Sequence, residues 1–220
     1  MLANHLDDPA VAGVVGNLRD ITDRKRAEQA ATRLALTDPL TALPNRRQLT
    51  ERLRDLAARA EVTGDRATVV FVGLDRFKLV NESLGHASGD ELLREAAQRL
   101  QGVVRDEDLV ARFGGDEFVV LVDGGDADLP AQVAERVAGV FTRPFDLTDG
   151  RFVATASIGV ATTPPYATEE LLRNADLAMH QAKARGRSRI EFADSALSQD
   201  ARTSLRIRNE LRQAIEEEQF

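Results

Sequence analysis

The stretch Leu109-Val110-Ala111-Arg112-Phe113-Gly114-Gly115-Asp116-Glu117-Phe118-Val119-Val120-Leu121-Val122 decides the fold. Two apolar runs flank a glycine pair, which reads as a β-hairpin. Glycine supplies the positive φ of a tight turn and lets a ligand approach the backbone. Asp116 and Glu117 are expected to follow the turn and alternate faces as the second strand begins. Two adjacent acids at a hairpin tip repel one another, and a bound divalent cation would offset that repulsion. A plain hairpin with solvated acids satisfies the same pattern.

Upstream, Ala67-Thr68-Val69-Val70-Phe71-Val72-Gly73-Leu74 is nearly continuously apolar and predicts a central strand buried on both faces. A helix and turn follow over 75–86, and Gly89-Asp90 is expected to open a second helix that runs to about Gln101. Before this strand, Pro39 stops one helix and Pro44 starts another, which reaches about Ala60 with Leu49, Leu53 and Leu56 on one face. Arg46 and Arg47 read as structural. Downstream, 123–126 is a turn and 129–141 an amphipathic helix with Val133, Val137 and Val140 inward. A hairpin is expected about Asp149-Gly150, then a strand from Val153 to Ala161, a helix from Thr168 to Lys183 and a short strand, 189–192. Helices and strands alternate around a central hairpin. The fold class is therefore α/β (α+β): a ferredoxin-like palm whose mostly antiparallel sheet is flanked by helices.

Composition narrows the function. The 220 residues suit one domain with extensions, and 43% hydrophobic residues are enough for a core. A net charge of −7 opposes general binding of nucleic-acid polymers. Cysteine is absent, which excludes disulfides and thiolate metal sites. No apolar run approaches the roughly 20 residues of a membrane span, and no signal peptide is evident. A cytoplasmic location is the expectation.

Gly114-Gly115-Asp116-Glu117-Phe118 resembles the signature of the GGDEF family, the diguanylate cyclases that condense two GTP molecules into cyclic di-GMP. Similar blocks run from about Leu34 to Phe192 in the family's order. Leu36-Thr37-Asp38-Pro39-Leu40-Thr41-Ala42-Leu43-Pro44-Asn45-Arg46-Arg47 looks like the family's opening segment, and Ser157-Ile158-Gly159-Val160 is also similar. The resemblance implies the nucleotidyl-cyclase palm, GTP as substrate, Mg²⁺ (or Mn²⁺) as cofactor and a catalytic homodimer. It implies that Asp116 holds metal and helps deprotonate the attacking hydroxyl, with Glu117 in support. Phe77 and Lys78 are implied over the triphosphate, Asn81 and Asp90 at the guanine edge, Gly114 and Gly115 against the nucleotide, and Lys183 and Arg187 towards the γ-phosphate. His86 reads as a turn or packing residue.

The family's first block normally reads Asp-x-Asp-x-Phe-Lys. Here it is Gly73-Leu74-Asp75-Arg76-Phe77-Lys78. The first metal-binding carboxylate is replaced by Gly73. Leu74 keeps its backbone carbonyl as a ligand, and Asp75 is a further candidate ligand. A second reading is therefore open: a catalytically weak module that binds GTP and regulates an attached domain. Arg105 and Asp108 stand in the R-x-x-D arrangement of the family's inhibitory site, where cyclic di-GMP binds as product. An ordinary surface ion pair is the alternative.

Outside this region, residues 1–9 read as a tail and 11–22 as a strand. Residues 1–22 resemble the end of a PAS sensor, and 23–36 resemble a signalling helix whose Ala27, Ala30 and Leu34 allow a short coiled coil. The GGDEF domain is expected over 37–193. Residues 194–220 resemble a linker and the first helix of an EAL phosphodiesterase domain. This reading makes the chain a piece of a longer protein.

Overall fold

A computed structural model describes residues 35–163 and 167–193, together with two short strands nearer the N-terminus. Those strands, β1 (Ala3–Asn4) and β2 (Val14–Val15), pair antiparallel within a unit of their own spanning Met1–Ala35. Ala3–Asn4 was expected in a tail. It is a strand because the apolar Val14–Val15 stretch finds its hydrogen-bonding partner there. The remainder of the sensor-like stretch, the signalling helix except Ala35 and Leu36, and the EAL-like segment lie outside the described residues.

The second unit opens with α1 (Arg46–Thr63), followed by β3 (Ala67–Leu74) and α2 (Phe77–Gln101). The hairpin is β4 (Leu109–Gly114) and β5 (Glu117–Asp123), and α3 (Leu129–Gly139) follows it. A second hairpin, β6 (Phe145–Leu147) and β7 (Gly150–Phe152), precedes β8 (Ala156–Thr162), α4 (Leu171–Ala184) and β9 (Ile190–Phe192). The main sheet runs β4-β5-β3-β8-β9. Its pairings are antiparallel except that of β8 with β9. The chain order β3-α2-β4-β5-α3-β8 in this arrangement is the ferredoxin-like palm.

All eight residues of β3 are buried. Alternation along a strand explains how. Val70, Val72 and Leu74 face α2 and α3, together with Leu92, Leu93, Val133 and Val137. Val69 and Phe71 face α1 and α4, together with Leu49, Leu53, Leu56 and Met179. Helices therefore cover both faces, and burying each large side chain contributes about 1.5–3 kcal/mol.

Three boundaries differ from expectation. The loop of the signature hairpin is Gly115-Asp116, because Gly114 pairs with Glu117. Asp116 thus lies in the turn and does not share the strand's alternation. Gly89 and Asp90 lie inside α2, whose break comes earlier, at Gly85 (φ 85°, ψ 164°). Finally, β8 begins at Ala156 and not Val153, since Thr155 is diverted to Asp75, as described below.

The close seating of α4 on the sheet depends on Gly159. A β-carbon there would overlap the Ala175 carbonyl oxygen and the Met179 backbone nitrogen. Backbone cannot yield as a flexible side-chain end can. Gly159→Ala should destabilise the fold by about 1–3 kcal/mol or more, read as a lowered midpoint in chemical denaturation. An unchanged midpoint would show that α4 is free to move outwards.

Candidate active site

The site assembles at one end of the sheet, where the β4–β5 turn meets the end of β3. Gly73 pairs with Glu117 of β5 on one side and with Ser157 of β8 on the other. The Leu74 N–H donates to the Asp116 carbonyl at 3.1 Å. This bond fixes the hairpin tip against the strand end.

Asp75 is the tether beneath this end. Its carboxylate is buried and accepts from the Thr155 hydroxyl (2.7 Å), the Ser157 hydroxyl (2.7 Å) and the Ser188 N–H (3.1 Å). Its own N–H donates to the Thr155 carbonyl at 2.8 Å. Asp75, expected as a further candidate ligand, has both carboxylate oxygens engaged by protein donors, with one acceptor site left on Oδ1. Its effect is to join β3, β8 and the loop after α4. That loop turns through left-handed backbone at Gly186, Arg187 and Ser188, and it carries Arg187.

Lys183 lies in the last turn of α4, half-buried, and its ammonium sits over Gly73. Glu117 is partly buried. Burial pushes its carboxyl above the usual glutamate range, Lys183 pulls it down, and Asp116 and Asp176 push it up again. On the same helix, Asp176 pairs with His180 at 3.0 Å, an ion pair when the imidazole is protonated.

The signature turn is braced from behind. Arg112 donates to the Gly115 carbonyl through Nε (3.1 Å) and Nη2 (2.7 Å), and to both Asp38 oxygens through Nη1 (3.0 and 3.2 Å). Burial raises the Asp38 pKa, but hydrogen bonds from Thr41 and Arg112 outweigh it and leave the carboxyl below its usual range. Arg46 stacks on Phe113 at 4.6 Å, which agrees with the structural reading of that arginine. Arg47 pairs with Glu51.

Phe77 and Lys78 begin α2, directly after Arg76 in left-handed backbone (φ 56°). The Lys78 ammonium is exposed, 3.6 Å from Glu82. A helix N-terminus of this kind favours an anion. The break at Gly85 folds the helix so that Asn81 lies against Gly89, next to Asp90. A β-carbon on Gly89 would overlap Asn81 Oδ1 and come within 3.3 Å of Phe77 Cζ. Asp90 is half-exposed, 4.0 Å from Arg94. His86 is exposed, directly after the break at Gly85.

Arg105 and Asp108 occupy the turn between α2 and β4. The six residues of β4, roughly 20 Å of strand, separate them from the hairpin tip. They do not form the surface ion pair considered above. Asp108 accepts the Arg105 backbone N–H at 3.0 Å, while the Arg105 guanidinium lies 3.9 Å from Glu107.

Among the described residues, no group of three acids or histidines is placed to hold a metal. Asp116, Glu117 and the Leu74 carbonyl can still suit a magnesium ion. Such ions use one or two carboxylates, keep several waters and take substrate phosphate oxygens.

The sequence model of the family described as diguanylate cyclase, GGDEF domain, matches residues 35–189. This chain belongs to the GGDEF diguanylate cyclase family. It is 39% identical over 201 residues to the bifunctional diguanylate cyclase/cyclic di-GMP phosphodiesterase MucR of Pseudomonas aeruginosa, covering 90% of this chain and 29% of MucR. The solved GGDEF domain of YfiN (TpbB) from the same organism matches with a TM-score of 0.68 and 37% identity, over 70% of this chain and 98% of that one. The GGDEF domain of DgcB from Caulobacter crescentus, solved in complex with c-di-GMP, matches with a TM-score of 0.68 and 30% identity, over 73% and 97%. The chain spans less than a third of the length of the first curated relatives that it matches.

Within this GGDEF domain, sequence reasoning missed Arg112 as a brace and Thr155, Ser157 and Ser188 as the partners of Asp75. Arg112 stood inside the signature stretch, but its partner Asp38 is 74 residues away. No local spacing connects the two.

Glu117 carries a testable stability consequence. Its pKa is raised on folding. Its contribution is therefore most favourable below the ordinary glutamate pKa and is lost as pH rises through the raised value. Glu117→Gln should be more stable than the parent at neutral pH, and the difference should shrink on acidification below about pH 4. Denaturation midpoints measured across pH check this, and a parent more stable at neutral pH would contradict it.

Proposed function

We propose that this domain is a diguanylate cyclase that condenses two GTP molecules into cyclic di-GMP and pyrophosphate. The observation that carries this reading is the pair Asp116 and Glu117 at the tip of a braced hairpin, with the Lys183 cation beside it. Each of two facing domains would hold one GTP. Asn81 and Asp90 suit the guanine edge, since an amide both donates and accepts and a carboxylate accepts from the base N–H groups. Phe77, Lys78, Lys183 and Arg187 would hold the triphosphate, with Gly114 and Gly115 leaving room for it.

The 3′-hydroxyl oxygen of one GTP forms a bond to the α-phosphorus of the other. The bond to the oxygen bridging the α- and β-phosphates breaks, and pyrophosphate leaves. Asp116 accepts the hydroxyl proton. The reciprocal reaction closes the ring. Magnesium or manganese, held by Asp116, Glu117 and the Leu74 carbonyl, would supply charge neutralisation at the phosphates. Positioning and fixed charge provide most of the catalysis in such a transfer. Arg105 and Asp108 are proposed to bind cyclic di-GMP as an inhibitor, and the DgcB complex supports a product-binding surface on this fold. A sensor before the domain and an EAL domain after it are proposed for the longer protein.

Gly73 favours a second reading, in which the domain binds GTP with little turnover and regulates its neighbour. Incubation with GTP and Mg²⁺, followed by chromatography, separates the two. Cyclic di-GMP and pyrophosphate are expected, and Asp116→Ala should abolish them without loss of fold. Intact GTP together with calorimetric binding would favour the regulatory module, and unchanged product from Asp116→Ala would overturn the assignment.

A further inference from the structure

The β6–β7 hairpin is anchored at its base and clasped at its turn, and the clasp grips the helix that carries Asn81 and Asp90. Phe145 and Leu147 of β6 are buried in the same core as Leu92 and Leu93 of α2. Beyond them, Thr148 and Asp149 in the turn meet α2 through reciprocal hydrogen bonds. The Glu91 carboxylate accepts from the Thr148 N–H and from the Thr148 hydroxyl, each at 2.7 Å. Asp149 in return accepts from the Ser88 hydroxyl. That hydroxyl also lies 3.1 Å from the Leu84 carbonyl oxygen, so its one proton serves two acceptors. The Thr148 backbone bond and then its hydroxyl bond hold the Glu91 carboxyl below its usual range, against the opposing charge of Asp149.

The clasp closes beside the break in α2. Gly85 (φ 85°, ψ 164°) divides the helix between Asn81 and Asp90. Glycine offers little conformational resistance of its own, so the angle between the two segments is set by whatever grips them. Asn81 on the first segment lies against Gly89 on the second. Ser88 and Glu91 are three residues apart and share one face of the second segment. Asp90 is turned about 100° or more away from either. The clasp thus holds the helical turn that carries Asp90 without occupying its carboxylate, and Ser88 reaches back across the break to Leu84.

We infer that the β6–β7 turn is a positioning element for nucleobase recognition: through Ser88 and Glu91 it fixes the two segments of α2 at the angle that brings Asn81 and Asp90 to one guanine edge. This rests on the base-reading roles proposed above. Discrimination between purines depends on where the Asp90 carboxylate stands, because a hydrogen bond weakens steeply with distance and angle. Guanine differs from hypoxanthine by its exocyclic amine, and a carboxylate in register with that amine accepts from it. Ser88, Glu91, Thr148 and Asp149 are positioning residues that act through Asn81 and Asp90. Thr148 and Asp149 are exposed. Loss of the clasp therefore leaves the buried anchor of Phe145 and Leu147 in place.

The test reads base discrimination, not product. Calorimetry in Mg²⁺ compares the α,β-methylene analogues of GTP and inosine triphosphate, whose α–β linkage the condensation cannot break. The two differ only in the exocyclic amine. The parent should prefer the guanine analogue about tenfold or more. Glu91→Ala combined with Asp149→Ala should reduce that preference to about threefold or less, by weakening the guanine analogue. Glu91→Gln combined with Asp149→Asn keeps an acceptor for each donor and should hold a larger preference than the alanine pair. Circular dichroism confirms the fold. If the alanine pair does not fold, Glu91→Ala alone takes its place with the same expected outcome. An unchanged preference in the alanine variant, or an equal loss of both analogues, would overturn the inference, as would a conservative pair no better than the alanine pair. A parent that binds both analogues equally, or neither, would instead overturn the base-reading roles on which the inference stands.

Discussion

The buried carboxylate of Asp75 is the constraint on which the working end of this domain depends. A buried charge is costly unless hydrogen bonds satisfy it. Here the donors come from Thr155 and Ser157 at the start of β8 and from Ser188 after α4, two parts of the chain far from Asp75 in sequence. Satisfying one side chain therefore fixes the end of β3, the start of β8 and the loop after α4 together. That loop follows directly on Lys183, whose ammonium sits over the strand end. The same engagement uses most of the accepting capacity of Asp75. Three of its roughly four acceptor sites hold the scaffold together, which leaves about one for any further partner.

The signature hairpin is held by a complementary device. Its turn places Asp116 and Glu117 side by side, and burial pushes Glu117 upwards in pKa. The folded chain thus tolerates a local cost at its tip. Arg112 keeps the turn in shape by engaging the Gly115 carbonyl from within and Asp38 from the preceding segment. The low pKa of Asp38 is the electrostatic signature of that brace, with Thr41 contributing alongside Arg112. Hydrogen bonds are thereby concentrated beneath the site, and the two adjacent acids are left at its tip.

Glycines set how closely the elements approach. Gly159 lets α4 lie directly on β8, and Gly73 lets the end of that helix reach across to the β3–β5 pair. Gly89 accommodates Asn81 once the break at Gly85 has folded α2 back. Gly159, Gly73 and Gly89 need no unusual backbone angle, whereas Gly85 has a φ of 85°. What they need is the absence of a side chain, which is a property of the neighbour and not of the residue.

Sequence by itself determined the strand, the hairpin and the helical faces, because each depends on a local period of two or 3.6 residues. It also determined the family, through a signature carried by consecutive residues. Only the tertiary structure decided that Asp116 belongs to the turn, that Asp75 is a tether, that Arg112 reaches Asp38 and that Lys183 fills the space at Gly73. Those outcomes depend on groups far apart in the chain that share one volume or one hydrogen-bonding site. Local spacing carries no information about such contacts. They are settled when the sheet register and the helix packing bring the groups together.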